Sequence, residues 1–148
     1  MDVFERLEKN LSKVIETFDT IVLDSAMELK NTIADLNVKQ LEEGMRSDGK
    51  AITPEYFSEA YAKAKKAQGA KPPEGTPDLK QTGAFHSGIY AEKKGKEYIY
   101  LWSTDEKADK LNAKYAKIYG LTTDSIGILK PELTPIIKDR VLNELQKR

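Results

Sequence analysis

Between Val3 and Leu36 the chain has no proline and no glycine, and its apolar residues recur three or four positions apart. Val3, Phe4, Leu7, Leu11, Val14, Ile15, Phe18, Ile21, Val22, Ala26, Leu29, Ile33 and Leu36 make up the series. That spacing lines one side of an α-helix, so residues 1–36 are predicted to form one long amphipathic helix. Thr20, Ile21 and Val22 are β-branched and poor helix formers, which places an expected break near Asp19-Thr20. A stripe this long needs more than one surface to cover it. Phe4, Leu7, Leu11, Val14 and Phe18 are therefore the expected contact with a neighbouring subunit, burial inside the chain's own domain being the competing expectation.

The other bounds are compositional. At 148 residues the chain fits a single domain, and 39% hydrophobic residues supply a core. No apolar run approaches the roughly 20 residues that span a bilayer, and the acidic, amphipathic opening Met1-Asp2-Val3-Phe4-Glu5-Arg6 reads as a helix start rather than a secretory signal. The expectation is a protein made in a reducing cytoplasm, without a membrane partner. There is no cysteine, which removes disulfides and thiolate chemistry. Lys plus Arg and Asp plus Glu both total 24, so the phosphate-neutralising excess of a nucleic-acid reader is missing. Zero net charge also lets identical subunits approach without repulsion.

Beyond Leu36, Asn37 is read as the cap of a short helix, Val38–Glu43, closed by Gly44. Ser47-Asp48-Gly49-Lys50 is a turn. Thr53-Pro54 is expected to open a helix from Pro54 to Ala67 with Phe57, Ala60, Tyr61 and Ala64 on its inner face. Gly69 to Pro77, with three prolines and two glycines, is an extended loop. The period then changes. Ser87–Ala91 and Glu97–Ser103 flank a lysine-rich tip and predict a β-hairpin. A helix follows over Asp105–Ile118, with Gly120 as its cap, then a short third strand at Ile126–Leu129. A last helix is expected to begin at Pro131 or Pro135. The fold class is α+β: a long N-terminal helix, a small antiparallel sheet with a central hairpin, and flanking and C-terminal helices. One domain, 1–148, is expected, divided into 1–36 (long helix), 37–78 (helices and Pro/Gly loop) and 79–148 (hairpin–helix–helix).

Catalytic chemistry finds little to stand on. His86 is the single histidine, there is no serine-hydrolase elbow and no phosphate-binding glycine loop. Ser47-Asp48-Gly49 lacks the acidic ligands of a calcium loop. No catalytic residue, metal or cofactor is expected. Lys93, Lys94 and Lys96 at the hairpin tip are the candidate contact to DNA or an acidic partner, against the plainer reading of a charged edge that discourages aggregation.

Leu79-Lys80-Gln81-Thr82-Gly83-Ala84-Phe85-His86-Ser87-Gly88-Ile89 resembles the L-x-x-T-G-x-[FL]-x-x-S-[IF] entry of tailed-bacteriophage neck, tail-completion and virion-morphogenesis proteins. Tyr98–Trp102 stands where that family has its returning strand, Lys110–Thr122 where it has a helix ending in Tyr-Gly, and Pro135–Leu145 where it has its closing helix. Asp35–Gly44 followed by Asp48-Gly49-Lys50 is similar to the version in phages of Bacteroides-type hosts, including crAss-like phages. Ala84-Phe85 departs from the Arg or Leu common after Thr-Gly. The resemblance covers about residues 35–145 and implies a non-enzymatic virion protein. It would form a homo-oligomeric ring, twelvefold or sixfold, at the head–tail junction. Portal and other neck and tail proteins would be its neighbours, and genomic DNA would pass through without sequence recognition. The alternative is a monomeric prophage-encoded adaptor or host-interaction protein; a small hydrolase or nuclease using His86 is the third class.

Overall fold

Asp2 starts the first helix: its carboxylate accepts from the Glu5 amide at 2.8 Å, and the Glu5 carboxylate accepts from the Asp2 amide at 3.2 Å. This reciprocal pair satisfies two of the amides that a helix start leaves free. In the computed structural model, which describes residues 1–148, α1 runs Val3–Met27, α2 Lys30–Glu42, α3 Glu59–Ala67 and α4 Ala84–Ser87. They are followed by β1 (Ile89–Lys94), β2 (Tyr98–Ser103), α5 (Ala108–Lys114) and α6 (Thr123–Leu145). The α+β class and the long N-terminal helix are as expected.

The break in the first segment is displaced. The helix passes through Thr20-Ile21-Val22 intact, because Ile21 and Ser25 are buried there and packing outweighs the small propensity cost. It ends instead at Glu28-Leu29, where Leu29 leaves helical geometry at φ −108°, ψ 21°. The turn allows Ala26, on one helix, and Ile33 and Leu36, on the next, to join a single cluster with Ala91 and Leu129. Asn37 does not cap a helix. It lies inside α2 and is fully buried, donating from Nδ2 to the Ile118 carbonyl at 3.0 Å and accepting from the Gly120 amide at 3.1 Å. One turn on, Gln40 repeats the pattern, donating to the Gly120 carbonyl at 2.8 Å and accepting from the Thr122 amide at 2.9 Å. Two side-chain amides of α2 thus pair with the backbone of 118–122 and fix the entry to α6. Gly44 ends the segment as read, at φ 76°.

The hairpin has register Ile89↔Ser103 to Lys94↔Tyr98 and a three-residue turn, Gly95-Lys96-Glu97. It is the whole sheet: the expected third strand at Ile126–Leu129 is part of α6. Thr122 caps that helix, its hydroxyl accepting from the Ser125 amide at 3.1 Å, and a four-residue apolar run has no period that separates strand from helix. Pro131 and Pro135, read as helix starts, sit inside α6. Each removes an amide from the ladder, leaving the carbonyls of Gly127 and Pro131 without their usual helical donor.

Three further boundaries differ. α3 opens at Ser58, whose hydroxyl accepts from the Tyr61 amide, rather than at Pro54, since the Tyr56 amide is already committed to the Gly75 carbonyl at 2.9 Å. Its buried residue is Ala62, and Phe57 stands fully in solvent. Gly83, at φ 87°, makes a turn into α4, and the strand expected from Ser87 starts only at Ile89. α5 stops at Lys114 because Tyr115 turns extended and joins the core; Gly120 belongs to the following link. The main cluster joins Leu41, Ile52, Phe85, Ile89, Tyr115 and Ile118, and Leu101 packs against both clusters. Each fully buried aliphatic side chain contributes about 1.5–3 kcal/mol.

Candidate assembly surface

α1 spans about 37 Å at 1.5 Å per residue. It runs antiparallel along α6: Glu28 pairs with Arg140 at 3.1 Å, and Asn10 donates to the Leu145 and Lys147 carbonyls at 3.1 and 2.6 Å. Asn10 therefore supplies donors to the free carbonyls at the end of α6, and residues 3–9 extend beyond the partner helix. Along that projecting side Phe4 is 82% and Ile15 71% exposed, with Leu7, Leu11 and Phe18 also exposed. At 100° per residue, Phe4, Leu7, Leu11, Ile15 and Phe18 form one continuous strip, turned roughly a quarter of the circumference away from the buried residues Val14 and Ile21.

Val14 therefore leaves the expected interface set. It is 6% exposed, buried where α1 packs on α6. Ile15 takes its place: Leu11, Ile15 and Phe18 follow in steps of four and three and Leu11, Val14 and Phe18 in steps of three and four, so the spacing left both open.

The three lysines of the hairpin are not one cluster. Side chains alternate across a strand, so Lys93 shares the inner face of Ile89 and Ala91 and reaches α1, where its Nζ meets Asp24 at 2.7 Å. It fastens the hairpin to the helix. Lys94 and Lys96 are exposed at the turn. The outer face of the hairpin is aromatic: Tyr90 and Tyr100 meet edge to face at 6.2 Å, and Trp102 stacks on Tyr119 at 4.9 Å. Burial pushes the Tyr119 phenol up to about 12.

His86 is buried beneath a polar seam. Its Nε2 lies 2.8 Å from the Asp78 carbonyl, which can only accept, so that nitrogen carries the proton. Nδ1 has no hydrogen-bond partner and faces Glu42 at 4.0 Å. Burial lowers the imidazole pKa below its ordinary value, against the opposing pull of Asp78 and Glu42. No serine or threonine is bonded to the ring. Around it Asp78 holds Lys65 at 2.8 Å and Glu42 holds Lys71 at 3.6 Å, ties that fasten the Pro/Gly loop to α2 and α3. No group of three His, Asp or Glu side chains converges on a point where an ion could sit.

On the far side of this seam a pocket of about 140 Å³ opens between α3, α4 and α5. Tyr56, Tyr61, Leu79, Phe85, Leu111 and Tyr115 form its apolar walls. Tyr56 and Tyr61 meet edge to face at 4.9 Å, and burial raises the Tyr56 phenol to about 12.

No family model, curated protein or solved structure matches the chain. No helix is long and apolar enough to cross a membrane.

Proposed function

We propose that the chain is a structural subunit of a tailed-phage virion, assembling with copies of itself into a ring at the head–tail junction around the DNA conduit. The observation that carries this reading is the apolar strip Phe4–Leu7–Leu11–Ile15–Phe18, left uncovered on a helix that projects past its only packing partner at that end. A contiguous exposed apolar surface marks an interaction site, and zero net charge allows identical copies to meet. The order of motifs from Leu79 to Leu145, similar to neck and tail-completion proteins, supports the location. Portal and other neck and tail proteins are its neighbours in this reading. DNA passes without base readout, and exposed Lys94 and Lys96 are the side chains available to meet phosphate.

The test is the full-length double variant Phe4→Glu/Leu7→Glu, supplied in place of the resident protein during phage growth. Both side chains are exposed, so the folded monomer keeps its melting temperature within about 2 °C, as surface changes typically cost under about 0.5 kcal/mol. Incorporation into purified particles, read by immunoblot, is expected to fall at least tenfold. Wild-type incorporation would remove the strip from the interface.

A further inference from the structure

The strip requires a receiving surface, and the chain carries one that answers to it. We propose that the Phe4 ring at the projecting end of α1 seats in the tyrosine-lined pocket of the next copy, in a contact that rests on the self-assembly reading above and makes it head-to-tail. The pocket is a recess of about 140 Å³ whose wall is half apolar, on the scale of one large side chain rather than a whole helix. Its wall is fixed, since Phe85 and Tyr115 belong to the main core and Leu111 packs against it. The occupant is equally defined: Phe4 is among the most exposed large apolar side chains, and it sits on the first turn of a helix secured by its capping box.

Charge agrees with the pairing. Lys80 and Lys107 stand at the pocket against the single acid Asp105. By helical spacing Glu8 and Asp19, with Glu5 beyond them, border the strip on its free side, whereas Arg6, Lys9 and Lys13 fall on the opposite side of α1. An acidic edge thus meets a basic rim. Within its own chain α1 packs on α6 and the hairpin, and the pocket is built by α3, α4 and α5, so the two halves of the contact lie on different parts of the subunit. Each copy offers one knob and one hole on unlike surfaces. That is a heterologous interface, and it closes into a ring when the rotation between copies divides a full turn.

The chain has no cysteine, so single cysteines report the geometry without background. Val3→Cys, which leaves the Phe4 ring in place, and Gln81→Cys at the pocket, one of them carrying a mass tag, are mixed at high concentration with a mild oxidant and read on a non-reducing gel. The expected result is a mixed disulfide between the two variants at least tenfold above either homodimer. Val3→Cys homodimers as the main product would overturn the pocket in favour of a symmetric α1–α1 contact, with self-assembly intact. Sedimentation of the unmodified chain separates the remaining outcomes. Oligomers without the mixed disulfide overturn the pocket alone, and a monomer at every concentration up to the millimolar range overturns the pocket and the self-assembly on which it rests.

Discussion

Replacing Asn37 by alanine removes both hydrogen bonds by which α2 holds the Ile118 carbonyl and the Gly120 amide. Each bond contributes about 0.5–1.5 kcal/mol net, and a buried group left without a partner costs about 1–3 kcal/mol. The Ile118 side is fully buried and the Gly120 side only partly so, so the penalties do not both apply in full. The sum is a loss of about 2–4 kcal/mol. At about 2–4 °C per kcal/mol for a domain of this size, the melting temperature drops by roughly 5–15 °C. Urea unfolding followed by circular dichroism measures the free energy, with the slope unchanged if the exposed surface on unfolding is the same. Gln40→Ala is its companion. Because both amides clasp the segment 118–122, their combined loss differs from the sum of the single losses. An Asn37→Ala variant that loses less than about 0.5 kcal/mol would refute the claim that this clasp fixes the entry to α6.

Two further outcomes follow from single groups. The folded-state pKa of His86 lies below the unfolded value of about 6.5. The unfolded chain therefore binds more protons in the window between the two, and stability falls as pH drops through it. Thermal melts from pH 8 to pH 5.5 should show that decline, and His86→Gln should flatten it; an unchanged slope in the variant would assign the decline elsewhere. Gly44→Ala places a Cβ 2.8 Å from Pro72 Cβ and 2.9 Å from Thr76 Cγ2, at φ 76°. The left-handed backbone alone costs about 1–2 kcal/mol for a residue with a Cβ. The variant is expected to lose at least that much in urea unfolding, and wild-type stability would contradict the conformation.

The elements that the sequence revealed are those whose signal is local. The three-to-four spacing of α1, Gly44 at a helix end and the alternating run Tyr98–Trp102 each follow from residues near one another in the chain. The misread elements depend on distant partners. Asn37 has the side chain of a cap, but the carbonyl and amide that claim it belong to residues 118 and 120. Ile126–Leu129 is helical because Thr122 caps it and Leu129 packs with Ala26, Ile33 and Leu36. Pro131 and Pro135 looked like helix starts, yet an exposed proline can be carried inside a helix whose other side is held by α1.

At the candidate assembly surface the strip was legible from period alone, but its width was not. Only the position of α6 assigns Val14 to the inside and Ile15 to the outside. Lys93 parts from Lys94 and Lys96 because β1 runs on to Lys94, past the expected end at Ala91, and alternation along it turns Lys93 toward Asp24. The tyrosine-lined pocket had no sequence signature, since its walls come from residues 56 to 115 and only the fold brings them together.

Immunogold electron microscopy on virions from the source culture, with antibody against this chain, tests the proposed place most directly. The account predicts gold at the neck or upper tail of intact or gently disrupted particles. Particles without gold, beside abundant protein in the cells that made them, would contradict it and leave a soluble adaptor as the better reading.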